Sequence, residues 1–371
     1  MALTTIATAD RIEAYSETVY RELLRDTVLS QFISKKNESI IQETDTALGK
    51  GKGERYRVTL VRNLTGAGRV GNQRLTGHSE ALDTLFSWHW LMPRQHSLEE
   101  EGDLTRIRSQ LDLAKEFGPA LRRWATVKLD VDIIKALSGL ANTELGFTTD
   151  GTNYYAPSTN RKWRGGQTAA GVVEQTTTDA SVDSATANLC GPEVIDAVKL
   201  KAVEANIGPG SLNGEYLFAY IISRKQEYDL IHSTTWKNAM LYAQIRGRDN
   251  PLFRRNAKLR FLGIWNDVAI YCSNLIESRT GDGVGTAATT YFESGDACAS
   301  GITVHRSLFL GQQAGSIGWG LKPEISVDKI EKRFDMVMLH EIYGVGKSSF
   351  ATNAGAQEDF STIIVDTAVS A

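Results

Sequence analysis

Three short motifs in this 371-residue chain set residues of catalytic type at spacings that known chemistry uses. Gly66, Gly68 and Gly71 spell G-x-G-x-x-G after a strand-like run. In a dinucleotide-binding unit such glycines let backbone amides and a helix N-terminus approach a pyrophosphate. Here Gly77 falls where that helix would form, and no acidic residue follows about twenty positions on to hold a ribose hydroxyl. Gly346-Lys347-Ser348 resembles the end of a phosphate-binding loop, but Glu341 stands where the leading glycine belongs. His340-Glu341 opens a zinc-protease H-E-x-x-H, but Gly344 replaces the second histidine, so one helix face cannot present two imidazoles to a metal. His89 and His96 lie seven apart beside a strand-like run and His78 lies near Glu80; ordinary histidines explain all three better than a metal site. With no G-x-S-x-G elbow either, no catalytic, cofactor-binding or metal-binding residue is assigned, and the chain reads as a non-enzyme. The first motif becomes a flexible hairpin tip and the second a turn between strands.

Composition narrows the field further. With 42% hydrophobic and 23% charged residues, the chain is long enough for one large or two smaller cores. A formal charge of -3 without a long basic block argues against bulk electrostatic attachment to nucleic acid or an anionic membrane. Cys190, Cys272 and Cys298 are widely spaced and odd in number, which predicts reduced thiols rather than a disulfide framework. Residues 1–10 lack a basic-then-apolar leader, and no stretch approaches the roughly 18 apolar residues of a membrane span.

The elements that must position any site follow from periodicity. From Asp10, Ile12, Tyr15, Val19 and Leu23 recur at three and four, predicting an amphipathic N-terminal helix that docks as an arm on the body or on a neighbour. Tyr56, Val58 and Leu60 alternate as a half-buried strand does, and a second alternating run, Phe86, Trp88, Trp90 and Met92, ends at Pro93. Between them lie the polar, glycine-rich residues 63–80, so the whole predicts an extended hairpin too thin to own a core. Apolar residues from Leu104 to Leu137 keep helical spacing for about ten turns, a spine with a kink or break at Gly118-Pro119 and a stop at Gly139. Residues 141–190 read as a mostly irregular insertion anchored by Tyr154, Tyr155 and Trp163. A helix through Ile195, Val198 and Val203, a buried strand over 216–223, a helix holding Tyr228, Leu230 and Trp236, and strands at 259–264 and 268–273 predict an α/β lobe. Residues 308–314 are apolar and ambiguous, and 325–327 and 336–341 read as strands. The scattered Trp88, Trp90, Trp124, Trp163, Trp236 and Trp265, with Arg94, are of the type that anchors interfaces, though core packing accounts for most of them.

An arm, a long hairpin, a spine helix and an α/β lobe together resemble the parts of the tailed-phage capsid fold, the Hong Kong 97-type (HK97-like) α+β architecture. The sequence is similar to the family typified by the major capsid protein of coliphage N-four. The resembling residues are Gly66-x-Gly68, Gly71-Asn72-x-x-Leu75-x-Gly77-x-x-Glu80-x-Leu82, Arg94, Trp124, Leu129-Asp130 and Leu137-x-Gly139. Tyr228-Asp229-Leu230, Trp236, Gly247-x-x-Asn250-Pro251-Leu252-Phe253 and Leu262-Gly263-Ile264 match its central block, and residues 308–314 with Gly344-Val345-Gly346-Lys347 its closing block.

The resemblance implies a major capsid protein that self-assembles into pentamers and hexamers of an icosahedral head around double-stranded DNA, without sequence-specific binding. It implies an arm at 1–49, an extended loop hairpin at 50–101, a peripheral domain with spine and insertion at 102–190, an axial α/β domain at 191–318, and C-terminal strands at 319–371 returning to the peripheral domain. The hairpin tip would lie over an adjacent subunit, with Arg69, Asn72, Arg74, Leu75, Glu80 and Arg94 as subunit-contact candidates. No cofactor is implied; scaffolding, decoration and portal proteins are possible partners, and assembly would occur in the bacterial host cytoplasm. A nucleotide-dependent enzyme and another self-assembling phage protein are the competing readings.

Overall fold

The computed structural model describes residues 29–45, 54–64, 66–72, 79–99, 113–146, 155–168, 170–176, 182, 186–212, 214–245, 261–280, 301–330, 334–351 and 357–370. The arm helix expected from Asp10, the first turns of the spine, Tyr154, and the contact candidates Arg74 and Leu75 lie outside these residues.

Two sheets organise the chain. The strands in order are β1 (Ile33–Ser34), β2 (Ile41–Asp45), β3 (Arg55–Val61), β4 (Thr84–Trp90), β5 (Met92–Glu99), β6 (Lys162–Arg164), β7 (Gly210–Leu212), β8 (Glu215–Ile222), β9 (Phe261–Trp265), β10 (Val268–Cys272), β11 (Ser278–Thr280), β12 (Thr303–Leu310), β13 (Gly315–Ile330), β14 (Phe334–Lys347), β15 (Ser349–Ala351), β16 (Gln357–Asp359) and β17 (Thr362–Ala368). The helices are α1 (Leu113–Ser138), α2 (Pro192–Glu204), α3 (Arg224–His232) and α4 (Thr234–Ile245). The first sheet runs β1-β2-β13-β14-β5, and the second runs β6-β17-β12-β8-β10-β9 with β7 and β11 at its margins. The hairpin β3-β4 stands apart as a two-stranded ribbon in which Tyr56 faces His89 and Leu60 faces Leu85.

One core joins both sheets. Leu121, Ala125, Leu129, Ile133 and Leu137 form a stripe at helical spacing on α1 and pack with Ile317, Ile325, Val337, Leu339 and Val345 of the first sheet. The same core takes Ala219 and Ile221 of β8, whose alternate residues Phe218, Tyr220 and Ile222 face a second core under α2, α3 and α4. Burial on both faces explains why β8 and β10 read as continuous apolar runs rather than alternating ones, while β12 and β17 bury polar residues that pair with one another, Arg306 with Asp366 among them. It also resolves residues 308–314, which complete strand β12 and turn into β13.

Several expectations are corrected. α1 passes through Pro119 without a break, because the proline removes a single intrahelical bond while the stripe beyond it is buried throughout. Gly139 does end the helix, at φ +65°. The single helix expected around Tyr228 and Trp236 is two: Ser233 is extended, ends α3, and accepts the Trp236 amide at 3.2 Å to begin α4. Val203 lies on the exposed side of α2, whose buried stripe is Val194, Ile195, Val198 and Ala202. The strands expected at 325–327 and 336–341 are the middles of strands of 16 and 14 residues. The boundary at 318 falls inside β13, and β17 returns to the lobe sheet beside β12, because its seven residues are all buried and need cover on both faces.

Candidate functional site: the hairpin and its seat

The root of the hairpin sits on a notch built from glycines. Gly344 and Gly346 are two apart on β14 and share a face, and Gly318 of β13 pairs with Gly344. A Cβ at Gly318 would overlap the Tyr56 ring, one at Gly344 the Trp90 carbonyl, and one at Gly346 the His89 ring. The Tyr56 hydroxyl donates to the Ser316 carbonyl at 3.1 Å, and its ring lies 5.2 Å from the His89 ring. His89 is fully buried, with Tyr155 edge-on at 6.2 Å, and neither ring nitrogen has a hydrogen-bond partner. Burial therefore pushes its pKa down to about 4 and keeps the imidazole neutral.

Behind the seat, on the α1 side of the sheet, a polar cluster ties three elements together. Arg94 of β5 pairs with Asp132 of α1 at 2.5 Å and donates to the Tyr343 hydroxyl, which itself donates to Asp132 at 2.5 Å. Glu341 is the cross-strand partner of Arg94 on β14 and is 2% exposed. Burial pushes its carboxyl up to about 7, against the pull of Arg94 and with the repulsion of Asp132. One guanidinium thus serves two carboxyl groups, and at neutral pH a proton shares the site.

The blade of the hairpin inverts the simplest reading of its sequence. Phe86 and Trp88 are 55% and 38% exposed, while Ser87 and His89, which alternate with them, are buried. The outward face pairs Arg55 with Trp90, Arg57 with Trp88 and Thr59 with Phe86. The Arg55 guanidinium lies 4.7 Å from the Trp90 ring and 5.4 Å from that of Trp88, and Arg57 lies 6.0 Å from Trp88. Pro93 does not end the run; after Leu91 the chain continues as β5 along β14.

Of the contact candidates, Arg69 and Asn72 are exposed at the tip, with Gly68 and Gly71 in left-handed conformations beside them. Glu80 accepts the Gly66 amide at 2.8 Å and closes the base of the tip loop. Arg94 is not on the blade at all but buried in the cluster behind the seat. Sequence reasoning named Tyr56 only as a strand residue and His89 only as an ordinary histidine, and passed over Asp132 and Tyr343; the roles of all four depend on partners far away in the chain. The recoverable signal was Gly344-x-Gly346, two glycines at strand period, which mark a flat notch.

The same geometry disposes of the chemical motifs. A carboxylate already occupies the Gly66 amide where a pyrophosphate would bind. Lys347 is fully buried and paired with Asp359 at 2.8 Å, out of reach of a phosphate. His340 and Glu341 are consecutive on a strand and point to opposite faces. Among the described residues no group of three or more His, Cys, Asp or Glu side chains is placed to hold a metal, and no helix is long and apolar enough to cross a membrane.

Comparison with known proteins agrees with this architecture. A family model described as "Phage capsid protein" matches residues 3–371. Among solved structures, the capsid of Ralstonia phage GP4 superposes with a TM-score of 0.70 at 22% identity, over 91% of this chain and 90% of its own. The capsid asymmetric unit of cyanophage Pam1 gives 0.65 at 19%, over 94% and 93%. The acid-stable capsid of Helicobacter pylori bacteriophage KHP30 gives 0.64 at 12%, over 93% and 91%. The fold is therefore the phage capsid fold, consistent with the HK97-like type. No curated protein matches the chain.

Proposed function

The chain belongs to the phage capsid protein family and is a major capsid protein of the phage head; we propose that it assembles through pentamers and hexamers into an icosahedral shell around double-stranded DNA. In this reading the first sheet with α1 is the peripheral part of the subunit, the second sheet with α2, α3 and α4 the axial part, and the N-terminal residues an arm. Its role is mechanical rather than catalytic. The shell contains DNA without gripping it by sequence, in keeping with a net charge of -3. Assembly takes place in the host cytoplasm, with scaffolding, decoration and portal proteins as possible partners.

The observation that carries the reading is the ribbon β3-β4. A lone two-stranded ribbon is marginal in water, yet this one is fixed at its root and exposes Phe86, Trp88, Leu64 and Leu82 along its length. A neighbouring subunit supplies the missing cover, with Arg69, Asn72, Arg74, Leu75 and Glu80 at the contact, and Arg94 acting from inside its own subunit to hold β5 under the root. Head-to-tail repetition of that contact closes rings. Negative-stain electron microscopy of the purified chain should show closed shells or capsomer rings. Deletion of residues 63–80 should leave the thermal unfolding transition in place and abolish those particles. Loss of the transition itself would count against the segment's being an intersubunit element.

A further inference from the structure

Lys347, the last residue of β14, and Asp359, the last of β16, meet where the chain passes from the first sheet to β17 of the lobe sheet. Their side chains are 0% and 1% exposed, and Nζ lies 2.8 Å from Oδ1. The two atoms touch without the alignment of a hydrogen bond, and neither has a hydrogen-bond partner among the described residues. A carboxyl oxygen sits about 1.2 Å from its carbon, so the amine nitrogen is within about 4 Å of Asp359 Cγ. The rest of Asp359 is held in place. Its Oδ2 accepts the Ser158 amide at 3.2 Å, its own amide donates to the Ser158 hydroxyl at 3.3 Å, and its carbonyl accepts Arg161 Nε at 2.9 Å.

We propose that Lys347 and Asp359 condense into an intramolecular isopeptide bond between Nζ and Cγ, with the loss of one water. The bond needs only the folded chain and goes beyond the shell reading.

The step balances without any further reactant. The ammonium passes one proton to Oδ1, leaving a neutral amine beside a carboxylic acid. Burial pushes the Lys347 ammonium down against the pull of Asp359, with Arg306 and Lys162 adding to the push, and burial pushes the Asp359 carboxyl up against the pull of Lys347. The Nζ lone pair then attacks Cγ, and the negative charge that develops on Oδ2 meets the Ser158 amide already aimed at it. A second proton moves from nitrogen to the Oδ1 hydroxyl, which departs as water while Oδ2 returns to a carbonyl. One N–H remains on the new amide.

The surroundings favour the bond over the ion pair. In bulk water, hydration of the two ions holds amine and acid apart, but burial withdraws that hydration, and the attraction within a buried pair repays it only where hydrogen bonds are well made. Here they are not, and condensation removes both buried charges at once. A rigid site also presets the approach that two free groups would have to find by collision. The product closes residues 348–358 into a ring and ties the end of β14 to the residue just before β17, a covalent link between the two sheets beside the short β15-β16 ladder.

The test is the mass of the unmodified full-length chain, as purified and after prolonged incubation in the folded state. It should be lighter than its sequence by one water. Trypsin should leave Lys347 uncut, because an acylated lysine is not its substrate. A glutamate-specific protease cutting after Glu341 and Glu358 should release residues 342–358 joined to residues 359–371 as one branched peptide. Lys347→Arg keeps a cation but offers no amine to acylate, so that chain should retain its full mass and be cut by trypsin at the same position. A folded parent chain of full mass with ordinary cleavage at Lys347, or a missing water that maps to any other site, would overturn the bond. Both outcomes are read on the parent, so neither depends on how a variant folds.

Discussion

Arg306 in the lobe and Arg94 behind the hairpin seat are both buried guanidiniums bound to carboxylates, yet their surroundings differ. Arg306 on β12 grips its cross-strand partner Asp366 on β17 with two parallel bonds, at 2.9 and 2.7 Å. Arg94 meets Asp132, Tyr343 and Glu341 at once, with one of the two carboxyl groups held near neutrality by burial. The fork in the lobe fastens two central strands. The crowded cluster and the neutral His89 lie where the hairpin joins the body. Proton-linked energy is therefore stored at the joint, and the lobe sheet holds a share of its own at His305 on β12, whose pKa burial also pushes down to about 4.

The largest expected effect lies in the lobe. Arg306→Met leaves the Asp366 carboxyl buried between strands without its fork and should cost about 3–5 kcal/mol, with a matching fall in the unfolding midpoint in urea. Arg306→Met with Asp366→Leu should recover much of that, because an apolar pair in the same space carries no uncompensated charge. A double variant no better than the single one would show that the strands need the ion pair for more than its mutual compensation.

Smaller effects, and of opposite sign, are expected at the joint. Glu341 titrates at about 7 in the folded chain against 4.5 ordinarily, so its contribution is full below pH 4.5 and is lost as pH rises through 7, at a cost of roughly 3 kcal/mol. His89 titrates at about 4 against 6.5, so its contribution is full above pH 6.5 and is lost as pH falls through 4, by a similar amount. Between pH 4.5 and 6.5 the two slopes cancel, and these groups together leave stability level. Glu341→Gln should expose a rise of stability with pH across that window, and His89→Phe a fall, both read from unfolding midpoints against pH. Slopes unchanged from the parent in both variants would show that neither group at the joint is linked to folding through its proton.

How much of this the sequence revealed depended on whether the cause was local. The period of Leu121, Ala125, Leu129 and Ile133 marked α1, and Gly139 marked its end, because helix patterning and left-handed caps are written in consecutive residues. The hairpin was legible from two alternating runs and a polar span. Its buried face was not, since hydrophobicity pointed to Phe86 and Trp88 while the glycine seat selects Ser87 and His89. The lengths of β13 and β14 were hidden too, as Gly318, Gly320 and Pro323 weaken any local strand signal and pairing to β14, with β2 alongside over 315–319, sustains it. At the candidate site, Arg69 lies exposed on the tip and Glu80 closes the base of its loop, whereas Arg94 is interior because its partner Asp132 arrives on α1.

The seat offers the finest test of the contrast, because it isolates volume from charge. Gly346→Ala adds one methyl group where the His89 ring already fills the space, and overpacking of that kind costs about 1–3 kcal/mol. Gly208, in the lobe, offers a matched control: a Cβ there would make only an ordinary contact with Gln312, at 3.5 Å, so Gly208→Ala should be nearly neutral. If the His89 ring is the obstacle, His89→Ala combined with Gly346→Ala should cost less than the sum of the two, and the difference in unfolding midpoints reads out that coupling. Additive effects would mean that the backbone at Gly346, rather than the ring seated on it, sets the angle at which the hairpin leaves the body.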